Sequence, residues 1–355
     1  MKYSYLILGI LLGCLFTACK PDFDLNAPYK DVTVVYGILN HQDPIHYIKI
    51  YKGFQSHQTG GVYLDAQNPD SIYYNVNDID VVLKEYNNKG NFIRDIRMEA
   101  TNEHPKDEGI FYYDEKRVFY KTEEEIKKEN SYKIKITNKI SGKVTESQGM
   151  TPIVGDFKII YPTSIDMTAD KSSLTFEYAP SASDSCYEFI VKLRYFEVDK
   201  TTKAVKKDSI TKVIVTVGEY YDIEANSGLP FKKFSVTFYD DLAEKLVPNA
   251  KVIRYLGIPE ETTVYRPIDI DGWAAGVSMK NYLLSNKPTS SFVQINTIYT
   301  NMQVTGGDGL AYGFFSSRVK SPTLECATRG LSEDSLVYGY RTRHLGFRFR
   351  SEYKP

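Results

Sequence analysis

The chain carries 44 basic and 45 acidic residues over 355 positions, a net charge of −1, which excludes the dense basic face of a nucleic-acid binder and a polybasic membrane patch. Its four cysteines are too few and too scattered for a disulfide framework, and they show no metal-ligand spacing. Aromatic residues make up 14% of the chain, with 29 tyrosines against a single tryptophan, a composition that suits half-buried pleated strands.

The chain opens with Lys2 and an apolar run from Tyr5 to Ala18, followed by Cys19, Lys20, Pro21 and Asp22. A charged start, a short apolar stretch and a small residue before the cut form the pattern of an export signal. The run falls short of the roughly 20 apolar residues that span a bilayer. Leu15-Phe16-Thr17-Ala18-Cys19 resembles the bacterial lipobox, which implies cleavage after residue 18 and lipid on the Cys19 thiol. Leu11-Leu12-Gly13-Cys14 fits the same pattern, but a cut there leaves Leu15 and Phe16 on the mature arm. Cys19 is therefore the expected lipidation site and residues 1–18 the signal peptide. Residues 19–30 contain two prolines and no period, as expected of a flexible tether. Lys20, Asp22 and Asp24 resemble the charged segment that sends Bacteroidota lipoproteins to the outer leaflet.

Alternation then sets in. Val32, Val34 and Tyr36 predict a first strand, and Tyr47, Ile48, Ile50 and Tyr51 a second after a turn at Asn40 to Pro44. Further strands are expected at Asp80–Tyr86, Phe92–Met98, Ile110–Tyr113, Tyr132–Asn138 and Lys143–Gln148, with turn chemistry at Asn87-Asn88-Lys89-Gly90 and Asn138 to Gly142. Between them, Thr122–Glu129 reads as a charged, solvated segment. Short strands at this spacing predict an antiparallel, immunoglobulin-like sandwich over 31–152. Glycine and proline in Gly149–Asp156 mark a boundary, and a second β-rich domain is expected over 153–355. Its strands are predicted at Phe157–Tyr161, Ser173–Tyr178, Tyr187–Glu197, Ser209–Val217, Phe231–Phe238, Val252–Leu256, Ser291–Thr300, Tyr312–Arg318 and His344–Arg350. Asp240–Val247 is the one predicted short helix, ended by Pro248. The fold class is thus all-β, with two antiparallel β-sandwich domains, long loops and one short helix.

The chemistry-bearing residues are sparse. His41, His46, His57, His104 and His344 are dispersed, and no pair has the i, i+4 spacing of a zinc-binding helix. No Gly-x-Ser-x-Gly elbow or phosphate-cradling loop appears. Asp269-Ile270-Asp271-Gly272-Trp273 brings two carboxylates beside a glycine but lacks the later carboxylate of a calcium loop, so a plain turn is expected. Trp273 is a candidate ligand contact through stacking on a sugar or peptide ring, against the alternative of an edge of the core. Gly306-Gly307-Asp308-Gly309 reads as a turn entering an aromatic strand. The acidic pairs Asp78 with Asp80 and Asp240 with Asp241 read as turn residues rather than as an acid and a base. Cys186 and Cys326 remain after processing; sequence leaves open whether they form one disulfide or stay free. No catalytic residue, metal site or cofactor is expected.

Val34-Val35-Tyr36-Gly37-Ile38-Leu39-Asn40 followed by Ile48-Lys49-Ile50, Ile79-Asp80-Val81-Val82-Leu83 with its Asn-Lys-Gly turn, Gly109-Ile110-Phe111-Tyr112 and Ser131 to Ile136 together resemble an uncharacterised family of Bacteroidota surface lipoproteins. Gly309-Leu310-Ala311-Tyr312-Gly313-Phe314-Phe315-Ser316 is similar to that family's glycine-aromatic strand near the C-terminus. The family is often found beside TonB-dependent outer-membrane transporters, and no catalytic residues are assigned in it. The resemblance implies an outer-membrane lipoprotein facing the cell exterior. It would act as a non-enzymatic accessory subunit of a β-barrel complex in transport, secretion or barrel assembly. A glycan- or peptide-binding surface lipoprotein is the alternative.

Overall fold

Strict alternation builds the first strands. In β1 (Val32–Leu39) Thr33, Val35, Gly37 and Leu39 point inward, while Val34, Tyr36 and Ile38 face out. The same period places His46, Ile48 and Ile50 of β2 (His46–Lys52) inside and Tyr47, Lys49 and Tyr51 outside. The computed structural model describes residues 29–354 except 57–60, 105–116, 167–172, 176, 180, 207–210, 221–230, 234–241, 243, 261–264 and 287–297. The predicted strand at Ile110–Tyr113, and parts of those at Ser209–Val217, Phe231–Phe238 and Ser291–Thr300, lie outside the described residues.

Seven strands complete the first half: β3 (Ile79–Tyr86), β4 (Phe92–Arg97), β5 (Glu99–Thr101), β6 (Phe119–Thr122), β7 (Ser131–Asn138), β8 (Val144–Ser147) and β9 (Thr151–Pro152). The later strands begin with β10 (Lys158–Tyr161), β11 (Ser164–Asp166), β12 (Ser173–Thr175), β13 (Glu177–Ala179), β14 (Cys186–Asp199) and β15 (Thr211–Tyr220). They continue with β16 (Phe231–Lys233), β17 (Val252–Leu256), β18 (Ile268–Ala275), β19 (Met302–Gly306), β20 (Leu310–Lys320) and β21 (Leu324–Arg329). The protein is mostly β, with two large sheets and few helices. One sheet runs β19-β8-β7-β3-β4 with β9 on β7, and the other β11-β21-β18-β20-β1-β2-β6-β5 with β14 on β18.

The first core lies between the two sheets, where Val81, Leu83, Ile134 and Ile136 of one meet Val35, Ile48, Ile50 and Phe315 of the other. A second core gathers Phe157, Ile159, Phe189, Val191, Ile268 and Ile270 around β14 and β18.

The C-terminal strands cross the expected boundary. β19 pairs antiparallel with β8, Met302 opposite Ser147, and β20 pairs parallel with β1 from Val32↔Leu310 to Leu39↔Ser317. A division at 152/153 therefore separates hydrogen-bonded partners: β19 and Leu310–Ser317 of β20 join the first strands, while Arg318–Lys320 pair with β18. Gly313 lets the two strands meet: its φ is +94°, and a Cβ there would lie 1.9 Å from the Val35 carbonyl oxygen.

Among the described residues, four short helices stand where no helix was expected: Val62–Gln67, Pro69–Ile72, Val277–Ser285 and Ser332–Val337. Asn68 caps the second by accepting from the Asp70 amide at 3.0 Å, with Pro69 at its first position, a start signal written in the sequence. At the predicted helix, the Leu246 amide donates to the Leu242 carbonyl, one helical turn, among its described residues. Thr122–Glu129 is irregular beyond Thr122 but not merely solvated, because Ile126 is buried in the first core. His344–Arg350, expected as a strand, instead forms tight turns at Arg343–Leu345 and from Arg350. Gly346 takes a left-handed φ of +80° there, and the Arg350 guanidinium donates to the carbonyls of Ile258 and Pro259.

Candidate functional site

Two surfaces carry unusual chemistry. The first is the outward face of β20, β1, β2 and β6. Because Tyr36 stands opposite Lys49 and Phe314, and Lys49 opposite Phe119, their side chains form one row across four strands. Phe314 stacks on Tyr282 of the helix Val277–Ser285 at 4.2 Å, and Tyr36 meets Phe314 edge-on at 5.8 Å. Further along, the Lys49 ammonium lies 4.7 Å from the Tyr51 ring and 5.8 Å from that of Phe119. Tyr51 stacks on Tyr73, and the Arg117 guanidinium covers Phe119 at 4.8 Å. Tyr47 and His104 pack edge to face at 4.5 Å and end the row. Outward strand positions of a half-solvated sheet are usually polar; here they are aromatic, interleaved with cations that are held on the rings, with Tyr36 37% exposed and Phe314 buried against Tyr282.

Acidic groups border this face. Glu103 accepts from the Tyr47 hydroxyl and, at 3.0 Å, from the Lys121 ammonium. These bonds, Tyr47 first, hold the Glu103 carboxyl at about 2 and push the Tyr47 phenol up. The border stays ionised at neutral pH, which suits a wet rim around an apolar centre.

The second surface is a slot of about 340 Å³ beside Trp273. Strand register defines it. Trp273 stands opposite Glu188 of β14 and Lys320 of β20, and Ala275, two residues on, stands opposite Cys186 and Arg318. Small residues at Cys186 and Ala275 leave the slot open, and Met279 and Leu283 of the helix Val277–Ser285 wall the other side. The Arg318 guanidinium sits over the indole at 4.5 Å. Trp273 is half-buried and lines this slot.

The remaining expected site residues resolve as follows. Cys19, Cys14, Asp240 and Asp241 lie outside the described residues. Asp269 and Asp271 are not in a turn: both are buried in β18. Asp269 lies 3.2 Å from the Arg194 guanidinium, and Asp271 takes the Lys192 ammonium, Lys320 at 3.3 Å and the Thr323 hydroxyl at 2.7 Å. Burial raises the Asp271 pKa, but Lys192 and Thr323 outweigh it and hold the group below its usual range. Its charge is committed to structure. The glycine between them and the tryptophan, Gly272, is needed for packing, since a Cβ would lie 2.7 Å from Ile159. Asp80 pairs with Arg97 on the surface at 3.4 Å. Gly306–Gly309 forms the turn between β19 and β20, as its composition predicts.

Cys186 and Cys326 form no disulfide, and both thiols are buried. Cys186 stands opposite Ala275 at one end of β18, and Cys326 opposite Ile268 at the other. At about 3.3 Å per residue the strand holds them roughly 23 Å apart, against a Cα separation of about 7 Å at most for a bridge. Burial pushes the Cys326 thiol up to about 12, so it is inert. Labelling of the denatured, unreduced protein should find both thiols reactive; protection of both would contradict this placement.

The aromatic face escaped sequence reading because its members come from strands distant in the chain. The signal was the pair of alternating tyrosines Tyr47 and Tyr51 on a strand whose other face buries His46, Ile48 and Ile50. Among the described residues no group of three or more His, Cys, Asp or Glu is placed to hold a metal ion, and no helix is long and apolar enough to cross a membrane.

No family model matches the chain, and no curated protein is similar to it. Among solved structures, the trypsin-activated alpha-2-macroglobulin from Escherichia coli aligns with 71% of this chain and 17% of its own, at 9% identity and a TM-score of 0.16. The chain thus spans about 17% of that protein's length, and a likeness this slight bears on neither fold nor function.

Proposed function

We propose that this chain is an outer-membrane lipoprotein, held by lipid on Cys19 and facing the cell exterior, that serves as a non-enzymatic accessory subunit of an outer-membrane β-barrel complex. Its architecture under this reading is two immunoglobulin-like sandwich units, with β19 and Leu310–Ser317 of β20 completing the first. The observation that carries the docking role is the aromatic row from Tyr36 to Phe119 and Tyr47 on an otherwise ordinary sheet face, ended by Phe314 where it is buried against Tyr282. Rigid aromatic rings beside guanidinium and ammonium groups, rimmed by carboxylates, are the residues that dominate protein interfaces. A flat sheet face offers area rather than a cleft, which favours a macromolecular partner. Lipid anchoring raises the effective concentration at a membrane partner, so a modest interface suffices. The buried carboxylates support a non-enzymatic role, since Asp269, Asp271 and Glu85 are engaged in ion pairs.

Replacing both Cys14 and Cys19 by alanine tests the anchor. The parent should resist extraction by alkaline carbonate, and a tagged form should co-purify from mild detergent with a protein of heat-modifiable mobility, the mark of a β-barrel. The double variant should be extracted and lose that partner. Equal retention of the double variant after carbonate would overturn the anchoring and the docking built on it.

A further inference from the structure

The slot beside Trp273 lies on a different part of the large sheet from the aromatic row, and its chemistry is of another kind. The floor is small and apolar: Cys186 is 4% and Ala275 8% exposed, and both belong to a satellite cluster with Met279 and Leu283. One wall is the indole, with Glu188 beside it on β14, and the other the thioether and isobutyl groups of the helix, around a volume that accepts a ring or aliphatic chain. The rim on the β20 side is cationic, with Arg318 at 4.5 Å and Lys320 at 5.8 Å from the indole. The two cations differ in availability. Lys320 is paired with Asp271 at 3.3 Å, whereas Arg318 is exposed at the slot mouth with its guanidinium carbon over the indole. A guanidinium fixed on a ring presents its donors edgewise, the geometry that takes a carboxylate through two parallel hydrogen bonds. Walls that are apolar except for Glu188, and a guanidinium at the mouth, thus select for two properties in one molecule.

We infer that the Trp273 slot binds an apolar carboxylate, its ring or chain between the indole and Met279 and its carboxylate on Arg318. Such a group comes either from a small organic acid or from the C-terminal residue of a polypeptide, and both share this chemistry. The proposal is independent of the docking face and of lipid attachment.

Trp273 is the only tryptophan in the chain, so its emission reports on this slot alone. Titrating the full chain with phenylpropionate should give a saturable change in emission, and phenylpropionamide should bind about tenfold more weakly or worse, because the charge-assisted contact is lost. Arg318→Gln should erase the preference for the acid over the amide while leaving thermal stability unchanged, since Arg318 is exposed. Ala275→Leu should fill the floor and abolish binding of both. A tripeptide ending in phenylalanine with a free carboxylate, set against its amide, separates the sources: tighter binding than phenylpropionate assigns a polypeptide terminus, and weaker binding a small acid. Absence of a saturable change, equal binding of acid and amide, or an acid preference that survives Arg318→Gln would overturn the inference. The exposed Arg318 keeps the test decisive should Ala275→Leu fail to fold.

Discussion

Gly313→Ala should destabilise the protein by on the order of 4 kcal/mol or more, the range of severe single substitutions. The position has a φ of +94°, and the new Cβ would meet the Val35 carbonyl oxygen at 1.9 Å and its carbon at 2.8 Å. Left-handed backbone alone costs alanine roughly 1–2 kcal/mol. The clash is with backbone rather than with a flexible side chain, so it is relieved only by moving β20 away from β1. That movement breaks a parallel register of eight residue pairs and withdraws Phe315, now fully buried, from the first core. Losing a buried phenylalanine adds about 3 kcal/mol. Denaturant unfolding followed by Trp273 emission measures the effect. A loss below about 1 kcal/mol would show that the late strand does not complete the first sheet pair.

Glu85→Ala is the second large effect expected, near 3 kcal/mol. Glu85 lies on β3 with its side chain 1% exposed, and it accepts from the Arg94 guanidinium at 2.7 Å, the Asn130 amide at 2.7 Å and the Tyr132 hydroxyl at 2.9 Å. Alanine leaves the buried Tyr132 hydroxyl without this acceptor, while Arg94, 41% exposed, turns to water and to Glu124. Burial raises the Glu85 pKa, but the bonds from Arg94, Asn130 and Tyr132 outweigh it, and the net shift is downward. A carboxyl whose folded value lies below its unfolded one stabilises fully above the unfolded value, about 4.3, and loses that contribution as pH falls through the folded value. The parent should therefore lose stability on acidification below that range, and Glu85→Ala should flatten this acid limb as well as lower the neutral plateau. An acid limb of unchanged steepness in the variant would remove Glu85 from the account.

Much of the fold is legible in the sequence where period and burial coincide. The strands around Val35, Ile50, Leu83 and Ile134 follow directly from alternation, because one face is core and the other is not. β18 was misread because both its carboxylates are buried and paired, so Asp269 and Asp271 break the apolar run of a central strand and mimic a turn. Their partners Arg194 and Lys192 lie on β14, far away in sequence, and long-range ion pairs leave no local signature. Strand pairing crosses the boundary expected at 152/153 for a related reason. Parallel pairing of β20 with β1 joins chain segments nearly at opposite ends, and only the glycine at Gly313 hints at so close an approach. The helices at Pro69 and Val277 were readable, through an Asn-Pro cap and through Met279 and Leu283 at helical spacing. At the site level, Trp273 could be named but its neighbours could not, because Arg318, Cys186 and Met279 are brought to it by register. The aromatic row needed four strands in order before it existed at all.

The docking role rests on the outward face of β1, β2 and β6, and the most direct test is photo-crosslinking in the living cell from that face. A photoreactive residue replacing Tyr36, 37% exposed at the centre of the row, should yield an adduct with an outer-membrane β-barrel protein of heat-modifiable mobility. The same residue replacing Phe92, 54% exposed on the other sheet, should yield none. An adduct from position 92 equal to that from position 36, or no adduct from position 36 in intact cells, would contradict the assignment of this face as the docking surface.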